Sequence, residues 1–549
     1  MTNCSYWLVC VDLCSSHQDF AEYSFSDRFR DDKCFFEDEY FLLICDGVLL
    51  NKKDLFRSNS CTSMKDLLFQ ILFGETTVER WTGVFTGFVY DKTKRKGYAW
   101  GNQTGDVSCF YSFDEKNKKL FVSNNFNILI ERVGCGALDE KTSHFLLTYG
   151  FVPDDGTISC NIKRINPGCL LHLMGTGFRL KKYHRFTWSK SVDMTMEQAV
   201  EGLDHHFRKA VRLCFEKDIE YGYKRHLADL SAGLDSRMVN WIACDLAYKD
   251  ITNISYSQSQ TDEYCFSAQM GERFLNEFFH HSLDDATFLY DIDEMVKLQF
   301  GLGCYYSISG GYQWLRFINF CNYGLEHTGQ LGDVIVGSYL HNEVQTVNLN
   351  AGRYSSLLPL RFHVQQEDYK CHEDFMMYTR GFKGILNTHY LRNNFTYAVS
   401  PFLDLEFMEF CASIPLKLRL DSKLYWKWLD TKYPVAASFP SSRMRNDRKV
   451  ISFLHKLKNK VSYELYDLGY KLGLLKSSVN RNHMNPYQYW YETNEHLRNF
   501  ICDYFDENIH IVGDYPELYK EACTMYNSNN AINKLMAISL LATVKTYIK

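Results

Sequence analysis

Prolines are scarce in this 549-residue sequence: there are nine, and no Pro-rich or Gly/Ser-rich stretch or internal repeat marks a linker or a repeat array. Long apolar runs are absent too. "LMAISLLATV" near the C-terminus is too short to span a bilayer, and "MTNCSYWLVC" lacks the basic flank and apolar stretch of a signal peptide, so a cytoplasmic protein without a membrane partner is expected. Lys plus Arg number 61 against 66 acids, a net charge of −5 with no long basic run, which disfavours a nucleic-acid partner. No C-x-x-C pair, H-E-x-x-H or G-x-x-x-x-G-K-[ST] occurs, which removes zinc ribbons, zincins and the common nucleotide loop. The 19 cysteines are scattered, many in apolar contexts such as "FLLIC" and "WIAC", and read as buried free thiols rather than a disulfide framework.

What is present is core material. Aromatics make up 16% of residues, and the chain is too long for one ordinary core, so two to four domains are expected. The first third alternates strand-like segments ("YFLLICDGVLL", "GVFTGFVYD", "GYAWG", "LFVSN") with polar turns. Near residue 190 the pattern changes. Thr195 and Gln198 have capping-box spacing, and Ala199, Val200, Leu203, Phe207, Ala210, Val211, Cys214 and Phe215 keep helical spacing behind them. From there strands alternate with helices, "ITNISYS" (251–257) leading to a helix from about Asp262, which predicts a parallel α/β sheet with its ligand at the strands' carboxyl ends.

The stretch "HLADLSAGLDSRMVNWIACDL" (226–246) is the richest in chemistry. His226 to Leu230 reads as a strand, and Met238, Trp241, Ile242 and Leu246 as a helix, so Ser231 to Ser236 is a strand-to-helix turn. Unpartnered N–H groups and the positive dipole end at a helix start favour an anion. Ser231 and Ser236 add hydroxyl donors, Ala232 keeps bulk away, and Gly233 permits a left-handed backbone angle. Pyrophosphate fits such a turn, provided a cation such as Mg²⁺ shields Asp235. The plainer alternative is a helix that Ser231 caps and whose dipole Asp235 complements.

S-A-G-L-D-S closely resembles the S-G-G-L-D-S pyrophosphate loop of the asparagine synthetase family. "HTGQLGDVIVGSY" (327–339) is similar to that family's second acidic loop and "SPFLDLEFMEFCASIP" (400–415) to its P-F-L-D segment. "DGVLLNKKDL" (46–55), "GVFTGFVYDKTKRKGYAWGNQTGDVSCFY" (83–111) and "IKRINPGCLLHL" (162–173) resemble pieces of its N-terminal glutaminase-type domain, so the resemblance spans nearly the whole chain. It implies an α/β protein of two domains. Residues 1–188 would form an Ntn-type α+β (αββα) sandwich, and residues 189–549 a PP-loop synthetase domain with a parallel sheet and helices. The implied activity is an ATP-dependent ligase that activates a carboxylate as an acyl-adenylate, releasing pyrophosphate, before ammonia or an amine displaces AMP. ATP and Mg²⁺ are the implied cofactors, a small-molecule or peptide carboxylate and a nitrogen donor the partners, and a homodimer is left open. Leu230, Ser231, Ala232, Gly233, Leu234, Asp235 and Ser236, with Ser257 and Gly329, would hold ATP, and Asp235 and Asp333 the metal. Gln330 would orient substrate, and Lys427 and Arg443 are favoured among several basic residues for the cation near the α-phosphate. Asp404 reads as the cap of a helix beginning near Leu405.

Departures from the family pattern carry their own expectations. The family's nucleophile is a Cys at position two, which here is Thr2, while Cys4 lies two residues too far along. The family's oxyanion-stabilising Asn is Asp46 here; losing one such donor costs roughly 2.7 to 4 kcal/mol of barrier, and an anion in its place repels developing charge. Glutamine hydrolysis is therefore not expected. Gln330 replaces a Glu, and Val334 stands where another Glu is usual. An amide cannot take a proton, and general-base help is worth about 10²- to 10⁴-fold, so the nucleophile arrives neutral or another base serves. Two other classes stay open: a catalytically degenerate member that binds nucleotide or a partner, against which Asp235 and Asp333 argue, and a PP-loop enzyme modifying tRNA, which would want a basic surface or zinc-binding cysteines.

Overall fold

The run "FLLICDGVL" lacks polar alternation because both faces of its sheet are covered. The computed structural model describes residues 5–14, 19–188, 191–308, 311–340, 346–365, 367, 369–441, 465–466 and 468–548. Its first half contains strands β1 (Tyr6–Asp12), β2 (Phe20–Ser24), β3 (Cys34–Glu37), β4 (Phe41–Leu49), β5 (Gly83–Asp91), β6 (Lys96–Trp100), β7 (Phe110–Asp114), β8 (Lys119–Ser123), β9 (Lys163–Arg164), β10 (Cys169–Met174) and β11 (Gly177–Lys182). They form two antiparallel sheets, ordered β2-β1-β8-β7-β9 and β11-β10-β6-β5-β4-β3. Along β4, Leu42 and Ile44 point into the core between the sheets, where they meet Val9, Val11, Phe88 and Val122. Leu43, Cys45 and Leu49 point the other way, onto helices α1 (Lys52–Ser58) and α2 (Met64–Phe73) through Leu55, Leu67, Leu68 and Ile71. Each such side chain fully buried is worth about 1.5–3 kcal/mol. On the outer face of the other sheet, Leu8 and Phe110 pack with Phe126 and Leu129 of α3 (Phe126–Val133) and with Leu146 and Leu147 of α4 (Glu140–Thr148). The layer order is helix, sheet, sheet, helix, in agreement with an Ntn-type sandwich.

The second half begins with α5 (Met196–Glu220), started by the Thr195–Gln198 capping box, and all eight apolar residues read from its periodicity are buried. Strands β12 (Arg225–Asp229), β13 (Ile251–Ser257), β14 (Glu277–Ser282), β15 (Tyr323–His327) and β16 (Ala398–Val399) then build one parallel sheet, ordered β14-β13-β12-β15-β16. Helices α6 (Leu234–Asp245) and α7 (Asp262–Phe274) follow β12 and β13. The chain steps outward from β12 to β14 and then returns to the far side of β12 with β15. The connections leaving β12 and β15 therefore diverge, and a crevice opens at their carboxyl ends.

Buried charges join the halves. Asp32 and Lys217 are both fully buried and 2.8 Å apart; Lys52 lies 2.6 Å from Asp32, and Glu220 3.1 Å from Lys52. Burial pulls the Lys217 ammonium below its ordinary pKa, opposed by Asp32. Among the described residues every cysteine is a free thiol, and no helix is long and apolar enough to cross a membrane. Replacing Asp32 with Ala leaves Lys217 buried beside Glu220 alone, so Asp32→Ala is expected to lose about 3 kcal/mol of stability in urea unfolding. A loss below 1 kcal/mol would show that the network adds nothing to the junction.

Candidate active site

Strands β12 and β15 deliver the two acidic loops to one crevice. After Asp229, Leu230 still donates its N–H to the Ile254 carbonyl (2.9 Å), and the chain then turns through Ser231 to Gly233 into α6. Side chains hold this turn. Ser236 Oγ accepts the Ser231 N–H (3.0 Å), Ser231 Oγ accepts the Gly233 N–H (3.2 Å), and the two hydroxyls are 2.9 Å apart. Glu263 of α7 accepts the Ala232 N–H at 2.8 Å, so a carboxylate already occupies one amide of the loop; burial raises that carboxyl above its ordinary pKa. Gly233 adopts φ −68° rather than the left-handed angle expected, because it is the N-cap of α6 and takes the extended conformation of that position.

The facing loop is where glycine is required. A Cβ on Gly329 would fall 2.4 Å from Ser236 N, and one on Gly332 would fall 2.7 Å from Asp235 Cγ. This close approach lets Asp235 Oδ2 accept the Asp333 N–H at 3.1 Å, while the Tyr425 hydroxyl donates to Asp235 Oδ1 at 2.7 Å. Asp333 stands at the start of the short helical turn Val334–Ser338 without a side-chain capping hydrogen bond. A cavity of about 250 Å³ lies between the loops. Leu230, Ser231, Gly233, Asp235 and Ser236 line it from one side, Gly329, Gln330 and Asp333 from the other. An oxygen-only pair such as Asp235 and Asp333 suits a hard cation such as Mg²⁺.

Other predicted residues fall elsewhere. Ala232 and Leu234 are buried beneath the turn and do not line the cavity. Ser257 is buried, its hydroxyl between the Gln258 carbonyl and His280 Nε2, and Ser255 reaches the cavity instead. Lys427 sits on the exposed face of the helix Lys423–Lys432; Tyr425, two residues and about 200° earlier on that helix, is the side chain that reaches Asp235. Arg443, Thr2 and Cys4 lie outside the described residues. Asp404 caps the helix Leu405–Ser413 by accepting the Phe407 N–H at 3.0 Å. Sequence reasoning missed Asp229 and Tyr256, which line the cavity, and Arg392, which binds both.

Behind the loops, on the α5 face of the sheet, Asp218 joins the two strands. One of its carboxylate oxygens is 2.6 Å from His226 Nδ1 on β12 and 2.8 Å from His327 Nε2 on β15, and the other accepts the Leu325 N–H at 2.7 Å. All three side chains are buried, and Phe215 stacks on His327 with ring centroids 3.9 Å apart. Burial pushes the Asp218 carboxyl up, but His327 and His226 outweigh it and hold it below its ordinary value. This bridge ties β12 to β15 on the α5 face, in addition to their backbone ladder.

In the first half, Asp46 of β4 stands in a smaller cavity of about 60 Å³ bounded also by Ser5, Asn124 and Tyr397. Its carboxylate accepts from Ser5 Oγ (2.7 Å), Asn124 Nδ2 (3.0 Å) and the Tyr397 hydroxyl (3.4 Å), with Lys33 Nζ at 3.8 Å. Burial raises its pKa above the ordinary carboxylate value, opposed by Lys33. Residues 47–184 match the glutamine amidotransferase domain family. The chain thus carries a glutamine amidotransferase-type domain, and the match begins at the residue after Asp46. No curated protein matches the sequence. Two solved structures share 8% identity with it at a TM-score of 0.22. One is a glutamine phosphoribosylpyrophosphate amidotransferase from B. subtilis in complex with ADP and GMP, aligned over 50% of this chain and 59% of its own. The other is described as the allosteric regulatory enzyme of purine biosynthesis, aligned over 51% and 58%. The chain therefore spans less than two thirds of either, and at that score neither carries an argument about it.

Just ahead of the matched range, Asp46 accepts three hydrogen bonds and ties β4 to Tyr397 of the second half. The tight loop contact of the larger cavity is testable by itself. Gly329→Ala is expected to lose about 1–3 kcal/mol in urea unfolding, because backbone atoms stand where the methyl must go. Gly177→Ala, which faces open space, is the control. Equal stability of the two variants would mean that the loops do not meet as described.

Proposed function

We propose that the chain is an ATP-dependent, amide-forming ligase of the asparagine synthetase type. It would activate a carboxylate as an acyl-adenylate and transfer ammonia or an amine to it, with little or no glutamine hydrolysis. The observation that carries the reading is the meeting of Asp235 and Asp333 across one cavity at the carboxyl ends of β12 and β15. On this reading the C-terminal sheet is a PP-loop domain. The first turn of α6 and the Ser231 and Ser236 hydroxyls would receive the β and γ phosphates, and Asp235 and Asp333 would hold Mg²⁺, which would supply positive charge beside the phosphates. Gln330, with its main chain fixed by Thr328 and Ser400, orients the carboxylate. The amidotransferase-type domain fits an amide product but reaches it without its usual chemistry, since a buried carboxylate at Asp46 opposes an oxyanion.

One observation favours a second reading, a nucleotide- or partner-binding member without catalysis. The amides of Ser231, Ala232 and Gly233 already have side-chain acceptors, Glu263 among them, and phosphate must displace these. Exchange of labelled pyrophosphate into ATP, measured with Mg²⁺ across a panel of carboxylic acids, separates the two. Exchange with at least one acid, lowered at least 100-fold in Asp235→Asn, is expected; no exchange with any acid defeats the ligase reading, and ATP binding without exchange then identifies the nucleotide-binding member. For the amidotransferase-type domain, purified protein given glutamine is expected to release no glutamate above a boiled control. Release that disappears on changing Thr2 or Cys4 would show a working glutaminase.

A further inference from the structure

On the face of the sheet opposite Asp218, two carboxylates meet one guanidinium at the wall of the cavity. The register pairs Leu227 of β12 with Glu326 of β15, so Glu326 and Asp229 lie on the same face as diagonal neighbours. Arg392, at the end of the helix Asn387–Arg392, binds both. It donates to Asp229 Oδ1 (3.2 Å), to Glu326 Oε1 and to the Tyr256 hydroxyl on β13 (2.8 Å), and it is ion-paired with Asp229 Oδ2 at 3.0 Å. Glu326 is fully buried, and its Oε2 meets no N–H or hydroxyl donor among the described residues, which leaves a proton shared with Asp229 as its hydrogen bond. Asp229 and Tyr256 face the cavity.

We propose that Asp229 and Glu326, clamped by Arg392, are the acid–base pair of this cavity and take the proton that Gln330 cannot. The inference rests on the ligase reading. As the nitrogen nucleophile attacks the acyl-adenylate, its lone pair forms the C–N bond, the C–O bond to AMP breaks with its electrons, and one N–H proton leaves for the carboxylate pair through Asp229. The charge count supports the role. One guanidinium balances one carboxylate, so the second must hold a proton or remain a buried, uncompensated anion. Burial pushes the Glu326 carboxyl up to about 8, opposed by Arg392 and helped by Asp229. The groups facing the pair are thus Arg392 from its helix, Tyr256 from β13 and the two carboxylates themselves. The pair is a proton acceptor when it has lost the shared proton, so base help grows as pH rises through about 8.

Two measurements on the full chain test this. The first needs no turnover. Folded Glu326 keeps its proton to about pH 8 while unfolded Glu loses it near its ordinary value, so the native state binds more protons in between and the group's contribution to stability falls as pH rises through that window. Melting temperature from pH 5 to 9 is therefore expected to fall more steeply in the wild type than in Glu326→Gln and Asp229→Asn. Parallel curves overturn the proposal, whatever the activity. The second compares amide formation from ammonium chloride with pyrophosphate exchange, using the same acid. In both variants the ratio of amide formation to exchange is expected to drop about 100-fold or more, and the wild-type rise near pH 8 to vanish. An unchanged ratio and profile overturn the base role. Absence of exchange in the wild type overturns the ligase reading and the base role with it, while the melting curves still decide whether the pair shares a proton.

Discussion

The second half of the molecule depends on two backbones touching. The loop Gly329–Gly332 lies against the first turn of α6 so closely that side chains at either glycine would collide with main chain or with Asp235. That contact follows from the strand order, since β12 and β15 are neighbours whose connections leave in opposite directions. It also fixes the electrostatics: Asp235 reaches the Asp333 N–H, and with Asp229 three acidic side chains face one cavity. Such a concentration of negative charge is tolerable beside hydrogen-bond donors such as Tyr425 and becomes favourable once a cation enters. Asp218 holds the same two strands from behind and Arg392 joins them on the opposite face, so the strands that carry the loops are braced on both sides of the sheet.

The halves are joined by polar groups rather than by packing alone. Asp46 binds Tyr397, which precedes β16, and Arg28 donates to Thr396 beside it. Asp106, in the loop after β6, lies 3.3 Å from His389 Nδ1, whose Nε2 is 3.4 Å from the Thr328 hydroxyl; Thr328 leads directly into Gly329 and Gln330. A displacement in the first half thus has a short, hydrogen-bonded route to the loop at the cavity. The carboxylate of Asp46 is ill suited to an oxyanion hole, yet it is well suited to holding a tyrosine from the neighbouring domain.

Local signals in the sequence translated well into structure. The Thr195–Gln198 capping box, the buried stripe of α5, the strand Ile251–Ser257 and the start of α7 at Asp262 all stand where periodicity and caps put them, because each is decided by residues within one or two turns. The turn after β12 was legible for the same reason. Two kinds of feature were not. Gly233 was assigned freedom it does not use, since an N-cap is satisfied by ordinary extended angles, whereas Gly329 and Gly332 are needed for an approach between segments about a hundred residues apart in sequence. Tyr425 lies 190 residues from Asp235, and Arg392 163 residues from Asp229; no local pattern announces such pairs. Lys427 illustrates the complementary error, a cation chosen from a basic stretch without the helix phase that turns it outward.

Two buried charge sets contrast with a third in this fold, and the contrast bears on where chemistry lies. Around Asp32 and Glu220, two carboxylates face the ammonium groups of Lys52 and Lys217, with the exposed Lys53 on the outer side of Glu220, and Glu373 meets Arg419 in a buried bidentate pair. In those sets each acid has its own basic partner and none lines the cavity; they fix how elements meet, at a desolvation cost that ion pairing offsets. Around Arg392 the count is two acids to one base, and the wall of the cavity is part of the set. An unbalanced set cannot be neutral without a proton, and a proton held between two carboxylates responds to whatever charge arrives nearby. A structural pair gains nothing from such sensitivity. A site that must accept a proton from an incoming nitrogen gains a great deal, which is why the imbalance at Arg392, rather than the number of buried charges elsewhere, marks the end of the sheet where the chemistry is to be sought.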